Sequence, residues 1–112
     1  MSESPNRAGP TLLSAANTPQ QIVTGTSPNW PILREIIVVN ETTGDVAITV
    51  GINTSSTDVA GKRITPPALV LHAGETFEWA GFLPLKGSTE QLYAQCSVAN
   101  GATITVGYVD GP

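Results

Sequence analysis

The sequence predicts an all-β protein: a single β-sandwich or jelly-roll-like barrel of about seven to eight antiparallel strands, preceded by an extended N-terminal arm. Three observations carry this expectation. Apolar residues fall in short runs that either alternate with polar ones or are β-branched throughout, the patterns of half-buried and fully buried strands. Eleven glycines and nine prolines in 112 residues punctuate those runs instead of forming a tract of their own. No segment longer than about two turns repeats its apolar residues with the 3.6-residue period of a helix. The length suits one domain with a modest core.

Taken in order, residues 1–19 are polar and broken by Pro5, Gly9, Pro10 and Pro19. They are expected to form an arm outside the fold that clamps a neighbouring molecule, with Leu12 and Leu13 as its anchors. Residues 20–112 are expected to form the sandwich. A short strand, QIVTG, leads to the loop TSPNWP, where Trp30 caps one end of the core. In REIIVVNETTGDVAITVGIN, the β-branched run Ile36–Val39 reads as a strand covered on both faces. After the turn Glu41–Asp45, Val46, Ile48, Val50 and Ile52 point one way and Ala47, Thr49 and Gly51 the other. A polar loop, NTSSTDVAGK, precedes an edge-like strand interrupted by Pro66 and Pro67, which cannot donate to a ladder. After the turn HAGE comes an aromatic strand with Phe77 and Trp79 on one face. The loop LPLKGSTE leads to QLYAQCSVA and ATITVGYV, joined at Asn100-Gly101, a strong hairpin signal. The expected core is Ile36, Val38, Ile48, Val50, Phe77, Leu92, Ile104 and Val106.

Composition narrows the function classes. Nine acidic and five basic residues give a net charge of −4, and the cations Arg7, Arg34, Lys62, Arg63 and Lys86 are scattered. Nucleic-acid binding needs gathered Lys and Arg, so no nucleic-acid partner is expected. No apolar run approaches the ~20 residues of a membrane helix, and no membrane partner is expected. The N-terminus lacks the basic start and apolar stretch of a signal peptide. Cys96 alternates with Leu92, Ala94 and Val98 and reads as a small buried apolar residue. Asn40-Glu41-Thr42 and Asn53-Thr54-Ser55 fit the glycosylation sequon but read as turn residues without a secretory signal.

Reactive groups are few. His72 is the only histidine; it reads as a turn residue with a solvated ring, with neither a nucleophile beside it nor a second imidazole for zinc. Glu75 and Glu78 flank Phe77 and do not converge as a glycosidase pair must. Asp45 and Asp58 sit in turns and loops, where Asp is favoured for local hydrogen bonds, and no calcium site built from Asp45, Asp58 or Asp110 is expected. No glycine-rich loop opens a helix. No catalytic residue, metal or cofactor is expected. Of the four Trp and Tyr residues, Trp30 and Tyr93 are the candidates for an exposed platform that stacks on a sugar in a weak glycan contact; Trp79 alternates with Phe77 and reads as core.

The stretches LREIIVVNETTGDVAITVGI and RITPPALVLHAGETFEWAGFLPLKGSTEQLYAQCSVANGATITVGYV resemble a group of small β-sandwich structural proteins of tailed bacteriophages, minor tail or decoration-type. The likeness covers about residues 20–109. It lies in a strand ending in VVN before a Thr-Gly turn, a strand of alternating Val and Thr, a P…L-x-AGET segment, an aromatic strand and a closing ANGATITV hairpin. Where these proteins have a P-A-G turn before the first long strand, this chain has Ser27-Pro28-Asn29-Trp30-Pro31. The resemblance implies a non-enzymatic virion protein, assembled in the bacterial cytoplasm in symmetric copies on the tail or tail tip. Its partners would be other copies of itself and other tail or capsid proteins. Two alternative readings are a capsid decoration (cement) protein and a non-catalytic carbohydrate- or receptor-binding module.

Overall fold

The computed structural model describes residues 5–26, 29–53, 63–86 and 89–110. Eight strands form in the order β1 (Pro5–Leu13), β2 (Gln20–Thr24), β3 (Pro31–Asn40), β4 (Val46–Asn53), β5 (Val70–Leu71), β6 (Thr76–Pro84), β7 (Gln91–Cys96) and β8 (Ala102–Asp110). They make two four-stranded sheets, ordered β1-β8-β3-β6 and β2-β7-β4-β5. Within these sheets β1 pairs with β8, β2 with β7, β3 with β6 and β4 with β5, all antiparallel. The chain is thus doubled back once and the long double ribbon rolled into two facing sheets, which is the jelly roll. The expected all-β sandwich is the observed fold.

The core lies between the sheets, where the inward residues of each strand meet. Ile36 and Val38 from β3, Ile48 and Val50 from β4, Leu92 and Ala94 from β7, and Ile104 and Val106 from β8 are all buried. Each such aliphatic side chain contributes about 1.5–3 kcal/mol when fully buried. Phe77 differs from its expected full burial. Together with Trp79 it is half-buried against the core, because among the described residues β6 is an edge strand with no strand beyond it. Cys96 is buried as expected, its thiol donating to the Val98 carbonyl at 3.0 Å. Val98 itself is exposed, because β7 ends at Cys96 and the alternation ends with it.

Three expectations need correction. The first concerns the N-terminal arm over residues 1–19. Pro5–Leu13 is instead β1, paired along β8 from Pro5↔Val109 to Leu13↔Ala102. Its Gly and Pro fall where the ladder breaks, between Ala8 and Thr11. There Gly9 takes φ +89°, and a Cβ would stand 2.6 Å from the Ile104 carbonyl oxygen, so only glycine fits. The second concerns the hairpin expected at Asn100-Gly101 and the turn Glu41–Asp45. Asn100 does adopt a left-handed φ of 58° in the turn before β8, but β7 and β8 lie in opposite sheets, as do β3 and β4. The turns are therefore arches over the core. Third, β3 is not fully covered on both faces, since Ile36 and Val38 are buried but Ile37 and Val39 only half-buried, and its pairing is irregular near its start. Leu33 pairs with Leu83 and Glu35 with Ala80, so Gly81 and Phe82 of β6 stand against Arg34 alone. Against β8, Leu33 pairs with Tyr108 and Glu35 with the adjacent Gly107, so Arg34 is an extra residue in β3; this bulge turns both Arg34 and Glu35 outward and keeps both Leu33 and Ile36 inside. The polar loop expected over 53–62, with Asp58, lies almost wholly outside the described residues.

Candidate functional site

The roll sorts its connections by end. At one end are the short arches, β3–β4, β5–β6 and β7–β8, which are locked by side chains. Asn40, the last residue of β3, is only 3 % exposed. Its Nδ2 reaches the carbonyls of Gly44, Leu71 and His72 at 2.8, 2.9 and 3.0 Å. Its Oδ1 accepts from the backbone N–H of Thr42 at 2.8 Å. One amide thereby ties its own turn to the β5–β6 turn of the other sheet. With its nitrogen committed to backbone carbonyls and buried, Asn40 cannot serve as a glycan acceptor in the fold.

Just outside this buried amide, His72 Nδ1 lies 2.8 Å from Asp45 Oδ1, joining the same two turns at the surface. The backbone N–H of His72 donates to Glu75 Oε1, and that of Glu75 to the His72 carbonyl. The hydrogen bond and charge of Asp45, with a lesser contribution from Glu75, raise the imidazole pKa above its usual value. The ring is solvent-exposed, and no group of three or more His, Cys, Asp or Glu that could hold a metal gathers among the described residues. His72 is an electrostatic latch between turns.

The opposite end carries the longer connections and the expected platform residues, which the structure does not bring together. Trp30 is 40 % exposed, just before β3. Tyr93 is 5 % exposed and sits in β7 of the other sheet, between Gln21 of β2 and Gly51 of β4. It is no platform. The pair Leu12 and Leu13 likewise divides: Leu13 is 1 % exposed in the core, and Leu12, facing the other way along β1, is 45 % exposed. A neighbouring molecule can reach only Leu12.

Two surface features were not anticipated. A groove of about 370 Å³ opens between the sheets at this end. Ile52, Ile64, Leu83 and Pro84 form its apolar lining, with Arg63 and Lys86 at its rim and Glu90 held by the Lys86 backbone N–H at 2.7 Å. The second feature is β6. In its bulge, Phe82 is 65 % exposed, with the Arg34 guanidinium 5.9 Å from its ring centroid and Arg34 Nε donating to the Gly81 carbonyl. On the other face the Trp79 indole lies so close over Gly81 that a Cβ there would stand 2.8 Å from the ring. Alternation signals β6 as a strand but does not signal an edge, so neither feature was legible from it. No helix among the described residues is long and apolar enough to cross a membrane. Comparison with models of known protein families and with curated proteins returns no match.

Proposed function

We propose that this chain is a non-enzymatic structural component of a tailed-bacteriophage virion, assembled in symmetric copies on the tail or tail tip. The observation that carries the reading is the strand order β1-β8-β3-β6 and β2-β7-β4-β5, a jelly roll, an architecture widely used by viral coat domains. Its surface supports the same reading. Leu12, Trp30, Val70, Phe82 and Val98 are exposed large apolar residues on a chain with only 12 % charged residues. Such a surface favours docking on neighbours over staying apart. Jelly rolls also bind sugars in lectins. For that alternative Trp30 is exposed but Tyr93 is not, so the stacking platform lacks its second ring.

The test is to find the chain in particles. Purified virions from cells carrying the gene should contain it in a fixed ratio to the major tail protein, and labelled antibody should decorate the tail. In the particle, each copy should bury more than ~1,000 Å² against its neighbours. Absence from purified particles, with the isolated chain monomeric at high concentration, would overturn the reading.

A further inference from the structure

Each sheet of a sandwich ends in two edge strands, and edges are guarded by shortness, proline, bulges or charge. Three of the four here are guarded along their length, whereas the bulge and Pro84 of β6 lie only at its far end, beyond Ala80. β1 carries Pro5, Pro10 and a bulge. β2 has five residues with a register break between Gln21 and Val23, and β5 has only two residues. The fourth, β6, has nine residues and runs in unbroken register with β3 from Thr76 to Ala80.

The register shows what that edge offers. Asn40 N–H donates to the Glu75 carbonyl at 3.0 Å. Hydrogen-bonded and non-bonded pairs alternate in an antiparallel ladder, so Phe77 and Trp79 also bond to β3. Thr76, Glu78 and Ala80 therefore turn their N–H and C=O groups away from β3, toward the side where no strand among the described residues pairs with β6. All three residues are exposed. Glu78 is the single charge among them. A second β6 pairing antiparallel about Glu78 would set two carboxylates directly opposite, which is destabilising. The same carboxylate favours a strand with a cation at that position.

We propose that the free edge of β6 is a strand-docking site that takes an extended segment of another protein with Lys or Arg opposite Glu78. The segment bonds to the outward groups of Thr76, Glu78 and Ala80 and extends the sheet to five strands. This assignment rests on the register and holds whether or not the chain belongs to a virion.

Two end-blocked peptides test it against the full-length protein at low salt: Thr-Val-Thr-Lys-Thr-Val-Thr and its central-Glu counterpart, titrated by tryptophan fluorescence. The Lys peptide should bind about tenfold more tightly, the scale of exchanging a like-charge for an opposite-charge cross-strand pair. Glu78→Lys should invert the preference. Ala80→Pro, which removes one outward N–H and no β3 ladder bond, should weaken both peptides about tenfold or more. If Ala80→Pro does not fold, the inversion by Glu78→Lys decides. Equal binding of the two peptides, binding of neither below millimolar concentration, or a preference that Glu78→Lys leaves unchanged would overturn the proposal. So would a wild-type dimer, seen by sedimentation, that Glu78→Gln strengthens, since the edge would then belong to a second copy.

Discussion

At the residue scale, one buried amide and one exposed ion pair hold the same two turns, and they should behave differently. Asn40→Ala removes the side-chain partner of the Leu71 carbonyl and of the Thr42 N–H, while the His72 carbonyl keeps its bond from the Glu75 N–H. Burying such groups unpaired should cost about 2–3 kcal/mol. Urea denaturation would check this, and an unchanged midpoint would show that the turns close without it. For the latch, the folded imidazole pKa is raised, so protonated His72 is favoured in the fold. Its stabilisation is fully present below the unfolded value of about 6.5 and is lost as pH rises through the folded value. Thermal melts of wild type and Asp45→Asn should therefore differ most below that range and converge at alkaline pH, with the difference shrinking in high salt. Because both side chains are exposed, the effect should be small. A gap between the two that widens with pH would reverse the assignment.

At the element scale, what the sequence reveals is a strand's alternation, and what it hides is the strand's neighbour. Val46, Ile48 and Val50 are legible as one face of β4 because every second side chain enters the core. The sheet that β4 joins is not legible, since the turn Glu41–Asp45 suits a hairpin and an arch equally. The same limit hides β1. Pro5, Gly9 and Pro10 argue against a central strand but not against an edge strand whose ladder breaks at the glycine. The half-buried state of Phe77 and the outward turn of both Arg34 and Glu35 follow from an edge and a bulge, which local pattern does not encode. Of the candidate site residues, only Leu12 and Trp30 are where a partner can meet them. The adjacent leucines of β1 give a direct check on its role. Leu13→Ala should cost about 2–5 kcal/mol as a core truncation. Leu12→Ala should stay within about 0.5 kcal/mol, as substitutions at the surface usually do. Equal effects from the two would mean that β1 does not sit in the sheet as described.

At the scale of the whole molecule, the nested pairing makes the first and last strands one unit. Among the described residues β1 has β8 as its sole sheet neighbour, and β8 lies between β1 and β3. Removing residues 2–13 would strip one edge of β8 of its partner, uncovering the inward side of Ile104 and Val106 and deleting Leu13 from the core. Were the segment an arm outside the fold, the truncated chain would melt as the whole one does. As β1 it should instead take the domain with it: loss of the cooperative thermal transition, or a fall in midpoint of tens of degrees with aggregation through the exposed β8 edge. The same nesting joins residues about a hundred positions apart, so little of the sheet can close before most of the chain is collected. Folding should therefore be slow, on the order of milliseconds to seconds, as expected for sandwiches dominated by distant contacts. Stopped-flow tryptophan fluorescence on the full chain measures that rate, and circular dichroism melts of the truncated chain test the role of β1. A truncated chain with the wild-type transition would remove β1 from the cooperative fold and restore the segment to the role of an arm.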